Sequence, residues 1–157
     1  MVLPVGSPYP FVVNPPVVRV AAALLAAGAW DAAPLEINTV GVHYVTFYMS
    51  YIRAAIGGAV DFYFEISPMS VDPVAPPTWW RQTIYAGGLV VANTEIQSRV
   101  QQEYVTYGST SALLENFVWG PMDLGLSAER IRMFSRESGV VGNPGTFGVG
   151  ALMIRGE

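Results

Sequence analysis

Most acid–base and nucleophilic catalysis begins with a base that titrates near neutral pH. This chain has one histidine, His43, at the head of a β-branched and aromatic run. A Ser-His-Asp relay is formally open to it, but the G-x-S-x-G turn that presents a nucleophilic serine is absent. His43 therefore reads as a structural or rim residue. One histidine and no cysteine exclude the common zinc sets. There is no G-x-x-x-x-G-K-[ST] loop and no lysine to serve one, so phosphate cradling is also excluded. The twelve acidic residues are scattered, with no pair that marks glycoside hydrolysis. Asp72, Glu95 and Asp123 lie near expected turns and could join a calcium site through loop carbonyls, but D-x-D-x-D-G spacing is missing. The expectation is a non-enzyme without cofactor or metal.

The remaining chemistry is aromatic and cationic. Trp79, Trp80 and Arg81 follow the proline-rich stretch Pro68–Pro77, and Trp119 precedes Gly120-Pro121. Arg130, Arg132 and Arg136, with Glu129 and Glu137, form a charged ladder around Ile131 and Met133. Such residues carry interface hot spots because they combine large area with a polar handle. Stacked tryptophans also make sugar-binding platforms. With Tyr9 and Phe11 near the N-terminus, these residues are the candidate interface.

The elements that must hold them follow from composition. Of 157 residues, 52% are hydrophobic and 13% charged, about half the usual ~25% charged share. A lone globule needs polar surface, so contact with other chains is expected to cover part of this one. The most apolar stretch, Val17–Trp30, is interrupted by Arg19 and is shorter than the ~20 residues a membrane helix needs. Pro4, Pro8, Pro10, Pro15 and Pro16 stand where a secretory leader would carry its short basic region, which argues against a signal peptide. A net charge of −4 without a basic cluster removes the term that dominates nucleic-acid binding.

Residues 1–16 hold five prolines and no charge, and read as an extended arm ahead of a domain over 17–157. In Ala59–Ile66, Val60, Phe62, Phe64 and Ile66 alternate with Asp61, Tyr63 and Glu65, the period of a strand. Val42–Ile52 is apolar or aromatic on both faces and is expected to be covered on both. Gly57-Gly58 between them is a hairpin signal. Further strands are expected near 17–25, 79–85, 98–107, 113–119, 130–135 and 146–155, with one helical turn within 124–132. In the last strand, Gly148 and Gly150 share a face with Leu152 and Ile154, leaving room for close approach by a neighbour. About eight strands at regular turn spacing point to an all-β antiparallel sandwich of jelly-roll type, with an immunoglobulin-like sandwich as the alternative.

The run Arg130-Ile-Arg-Met-Phe-Ser-Arg-Glu-Ser-Gly139, then Asn143-Pro-Gly-Thr-Phe147 and a final apolar strand, resembles the end of small β-sandwich virion proteins of tailed bacteriophages. Ala26-Ala-Gly-Ala-Trp-Asp31 and Ser50-Tyr-Ile-Arg53 with Gly57-Gly58 fit the same likeness. The resemblance implies a capsid decoration (cementing) protein: a homo-oligomer, commonly a trimer, bound to the major capsid protein or another virion protein on the capsid surface. The alternative from the tryptophans is a trimeric jelly-roll binding head or carbohydrate-binding module.

Overall fold

Alternation of side chains across a strand decides which residues of this chain meet. In Val42–Ile52, Val45, Phe47, Met49 and Tyr51 are buried, and the residues between them point the other way. In Ala59–Pro68, Val60, Phe62 and Phe64 are completely buried. The computed structural model describes residues 16–68, 77–81, 84–85, 101–102, 104–125 and 128–155. Within them the strands are β1 Val17–Ala23, β2 Glu36–Asn38, β3 Val42–Ile52, β4 Ala59–Pro68, β5 Trp80–Arg81, β6 Ile84–Tyr85, β7 Gln101–Gln102, β8 Val105–Gly108, β9 Glu115–Asp123, β10 Ala128–Glu137 and β11 Thr146–Arg155. The Pro-rich arm, with Tyr9 and Phe11, and the residues Asp72 and Glu95 lie outside the described residues, apart from Pro16.

Sheet A runs β1-β11-β3-β9 and sheet B runs β2-β10-β4, with β5 and β8 sharing the outer edge of β4. The early strands pair antiparallel with the late ones in reverse order: β1 with β11, β2 with β10, β3 with β9 and β4 with β8. Strands β1 to β4 alternate between the sheets, and so do β8 to β11. A long antiparallel ribbon folded over on itself in this way is a jelly roll. The immunoglobulin-like alternative is set aside.

Two local expectations are corrected. Gly57-Gly58 is not a hairpin, because β3 belongs to sheet A and β4 to sheet B. The segment is an arch from one sheet to the other, and Gly57 supplies the positive φ of 87° that the arch requires. Both strands carry an apolar face, and placing them in opposite sheets buries the two faces against each other. The helical turn expected within 124–132 is replaced at its C-terminal end by β10, whose Ala128, Ile131 and Met133 are buried. Strand β2, too short to show a period, was not visible in the sequence.

The sheets enclose an aromatic core. Phe47 stacks on Phe64 at 4.3 Å, Phe62 stacks on Phe147 at 6.3 Å, and Tyr51 meets Phe147 edge-on at 6.4 Å. Each such ring stabilises the fold by ~1.5–3 kcal/mol through burial. Two polar clusters then lock the sheets together. The Arg19 guanidinium grips Asp31 with Nε at 3.1 Å and Nη2 at 3.2 Å, and also donates to the Phe147 carbonyl. Asp31 in turn accepts the backbone N–H and the hydroxyl of Ser135 in sheet B.

The second lock is Glu137, which is completely buried. Its Oε1 accepts the N–H groups of Ala59 (2.9 Å), Gly139 (3.2 Å) and Val140 (3.1 Å). Its Oε2 accepts the Tyr51 hydroxyl (2.7 Å) and the Gly145 N–H (2.9 Å). Burial alone raises the carboxyl pKa, but the donors, led by Gly145 N–H and Tyr51, outweigh it and hold the pKa below the ordinary glutamate value. Burial, then the bond to Glu137, pushes the Tyr51 phenol well above its usual range. Glu137 was expected on the outward charged ladder. It occupies the opposite parity of β10 from the arginines and faces inward.

Candidate functional site

On β10, Arg132, Phe134 and Arg136 alternate outward from the buried Ile131, Met133 and Ser135. Antiparallel register sets Arg132 opposite Glu65, Phe134 opposite Tyr63 and Arg136 opposite Asp61 on β4. The pairs close as charge-assisted bonds: Arg132 Nη2 to Glu65 at 2.6 Å, and Arg136 Nη2 to Asp61 at 2.9 Å. Tyr63 stacks on Phe134 at 4.9 Å, and burial raises its phenol pKa. Trp79 lies 4.1 Å from the Arg132 guanidinium, Arg81 sits 3.7 Å over Tyr63, and Arg136 lies 4.4 Å over Trp30 and 5.0 Å from Tyr104. The outer face of sheet B is thus a continuous ladder of rings and guanidinium groups, whose planes cover one another.

Of the candidate residues, this face brings together Trp79, Arg81, Arg132 and Arg136. Arg130 ends the row, paired with Glu36 at 3.2 Å and near Glu129 at 3.8 Å. Trp80 on β5 is 61% exposed. Trp119 is elsewhere: it faces inward from β9, stacks on Phe64 at 4.9 Å and meets Phe62 edge-on at 6.1 Å. It is a partly buried residue packed against the core and takes no part in an outward platform. The sequence reasoning missed Trp30, Tyr63 and Tyr104 as ladder members. The signal for Tyr63 was present, since Asp61, Tyr63 and Glu65 share the spacing of Arg132, Phe134 and Arg136. His43 stacks on Tyr44 at 4.2 Å with Nε2 3.5 Å from Asp123, and Asp123 also accepts the Gly125 N–H at 2.8 Å. Among the described residues no group of His, Asp or Glu side chains is arranged to hold a metal ion. No helix among them is long and apolar enough to cross a membrane.

No family model, no curated protein and no solved structure matches the chain. The surfaces themselves carry what can be said of function.

The connections β1–β2, β3–β4, β8–β9 and β10–β11 gather at one end of the sandwich. Ser109 N–H donates to Gly58 O at 3.1 Å, Ala27 N–H to Val141 O at 3.0 Å, and Ser138 N–H to Ala59 O at 2.8 Å. This end projects Ile56, 88% exposed, and Leu113, 76% exposed, together with Leu25, Leu114 and Val141. The charged residues of these loops are Asp31 and Arg53. Both are engaged, Asp31 with Arg19 and Arg53 with the Ser109 carbonyl at 3.2 Å.

The outer face of sheet A is also poor in charge. From β3 it presents Tyr44, Thr46, Tyr48, Ser50 and Ile52, and Tyr48 is 50% exposed. Gly148, Gly150, Leu152 and Ile154 of β11 lie beside them in register. The expectation that β3 is covered on both faces is therefore not met among the described residues, since Tyr44, Tyr48 and Ile52 are exposed.

Proposed function

We propose that this protein is a structural virion protein, a capsid decoration protein that binds the shell and assembles with copies of itself. The observation that carries this reading is the loop end. Ile56 and Leu113, at two of the four converging connections, stand largely clear of their own sandwich, and an apolar partner surface would bury them. Ile56 and Leu113 meet the shell, and many copies of a modest apolar contact sum to a large effect on the particle. The Pro-rich, uncharged N-terminal sequence and the likeness to tailed-phage virion proteins agree with this role.

The geometry supports the carbohydrate-binding alternative less well. A sugar platform needs free ring faces, whereas Trp79 faces Arg132, Trp30 faces Arg136 and Trp119 packs inward on Phe64. Trp80 alone among the four is largely exposed. The test is co-sedimentation with shells assembled from the major capsid protein, comparing wild type with the Ile56→Glu/Leu113→Glu double variant. Wild type is expected to co-sediment and the folded variant to lose at least tenfold in binding. No co-sedimentation by wild type, or equal binding by both, overturns the reading.

A further inference from the structure

We infer that the outer face of sheet A is a two-fold contact with a second copy of this chain, in which Tyr48 of each copy seats on Gly150 of the other. Tyr48 and Gly150 are cross-strand partners. They therefore lie side by side on this face, with β-carbon positions ~5 Å apart. Tyr48 stands half exposed. A β-carbon built on Gly150 would meet nothing within 4 Å, so this position is an open dimple beside a protruding ring. The row continues in both directions, with Val17 opposite Gly150 and Val118 opposite Tyr48, and both valines are exposed.

A knob and a hole one strand apart make a self-complementary surface. A two-fold axis in the interface, parallel to β3 and β11 and midway between them, carries each Tyr48 over the other copy's Gly150. Aligned sheets of this kind pack face to face at ~10 Å. The four strands of sheet A have 7, 10, 11 and 9 residues. At ~3.3 Å per residue and ~4.8 Å between strands, the face covers about 600 Å² per copy. Two copies would bury about 1,200 Å² in total, the lower bound of specific, stable interfaces. The central rows carry no charged side chain whose desolvation would oppose contact. A second copy also explains why β3 is apolar on both faces although Tyr44, Tyr48 and Ile52 on one of them are exposed.

This inference deepens the assembly part of the reading above and does not depend on the loop end. It is tested by sedimentation equilibrium of the full chain, with Gly150→Val and Tyr48→Ala as variants and Trp80→Ala as control. Gly150→Val fills the dimple in open space, so its far-UV spectrum should match wild type, as should its melting at concentrations where both are monomeric. Wild type is expected to be a dimer whose Kd rises at least tenfold in either variant and stays unchanged in Trp80→Ala. Monomeric wild type, or a Kd within twofold of wild type in both variants, overturns the contact. A trimer overturns the two-fold arrangement while leaving the assembly reading intact. Loss of the dimer in a chain lacking residues 1–15, with Gly150→Val without effect, would place the arm on this face and also overturn it. Shell co-sedimentation is read separately, so failure here is distinguishable from failure of the loop-end proposal.

Discussion

Glu137→Gln replaces a buried carboxylate by an amide of nearly the same shape, and its cost can be worked from the donors around it. The amide oxygen stays with the three N–H groups of Ala59, Gly139 and Val140, which leaves the NH₂ facing the Tyr51 hydroxyl and the Gly145 N–H. The hydroxyl can rotate to accept, but the Gly145 N–H cannot and loses its partner. A buried unpaired donor costs ~1–3 kcal/mol, and each bond that changes from charge-assisted to neutral loses about 1 kcal/mol. Relief from burying a charge offsets part of this. The expected loss is about 3 kcal/mol at pH 7, a large share of the ~5–15 kcal/mol typical of a domain. Urea unfolding at a series of pH values measures it. The folded-state pKa of Glu137 is lowered, so its stabilisation is complete above the unfolded value of ~4.3 and is lost as pH falls through the folded value. Wild type and variant should therefore converge in acid. A loss under 1 kcal/mol at pH 7, or a difference that stays constant down to pH 3, would refute the assignment of Glu137 as an ionised hub.

Three further outcomes are expected. Asp61→Asn leaves Arg136 without its anion at a site where Asp61 is only 2% exposed, and should cost about 2–3 kcal/mol; a double-mutant cycle with Arg136→Met should show coupling between the two residues, and additive losses would deny it. Trp119→Ala should lower stability by about 2–3 kcal/mol through the packing lost on Phe62 and Phe64, whereas Trp80→Ala should stay within ~0.5 kcal/mol. Equal effects in thermal melts would contradict the inside and outside placements. Arg19→Met removes the two-toothed grip on Asp31 that joins the sheets, and should cost about 2 kcal/mol with faster amide exchange at Ser135; unchanged exchange there would assign the lock elsewhere.

The sequence by itself determined the class of fold. Side-chain alternation is a local property, so Val60, Phe62, Phe64 and Ile66 announced one buried face without knowledge of what lay opposite. The shortage of charge likewise pointed to an apolar surface, seen at Tyr48, Ile56 and Leu113, and the absence of lysine, cysteine and a second histidine bounded the chemistry from composition alone. The parity that turns Arg132 and Arg136 outward and Glu137 inward was also legible. It went unused because the cluster reads as a patch of charge until the strand is drawn.

Tertiary structure decided the rest, because it depends on pairing between residues far apart in the chain. Gly57-Gly58 carries the same local signal whether it closes a hairpin or arches between sheets. The choice falls to β10 and β8, which take both edges of β4, and to β9 and β11, which take both edges of β3. The four tryptophans are alike in sequence. Trp119 packs against the core because β9 turns it toward Phe64, and Trp30 is outside because the β1–β2 connection lays it against Tyr63 at 4.7 Å. Tyr48 and Gly150 become knob and dimple only when β3 and β11, about a hundred residues apart in sequence, are set in register. A strand's period fixes which way each side chain points, whereas long-range backbone pairing fixes what it points at.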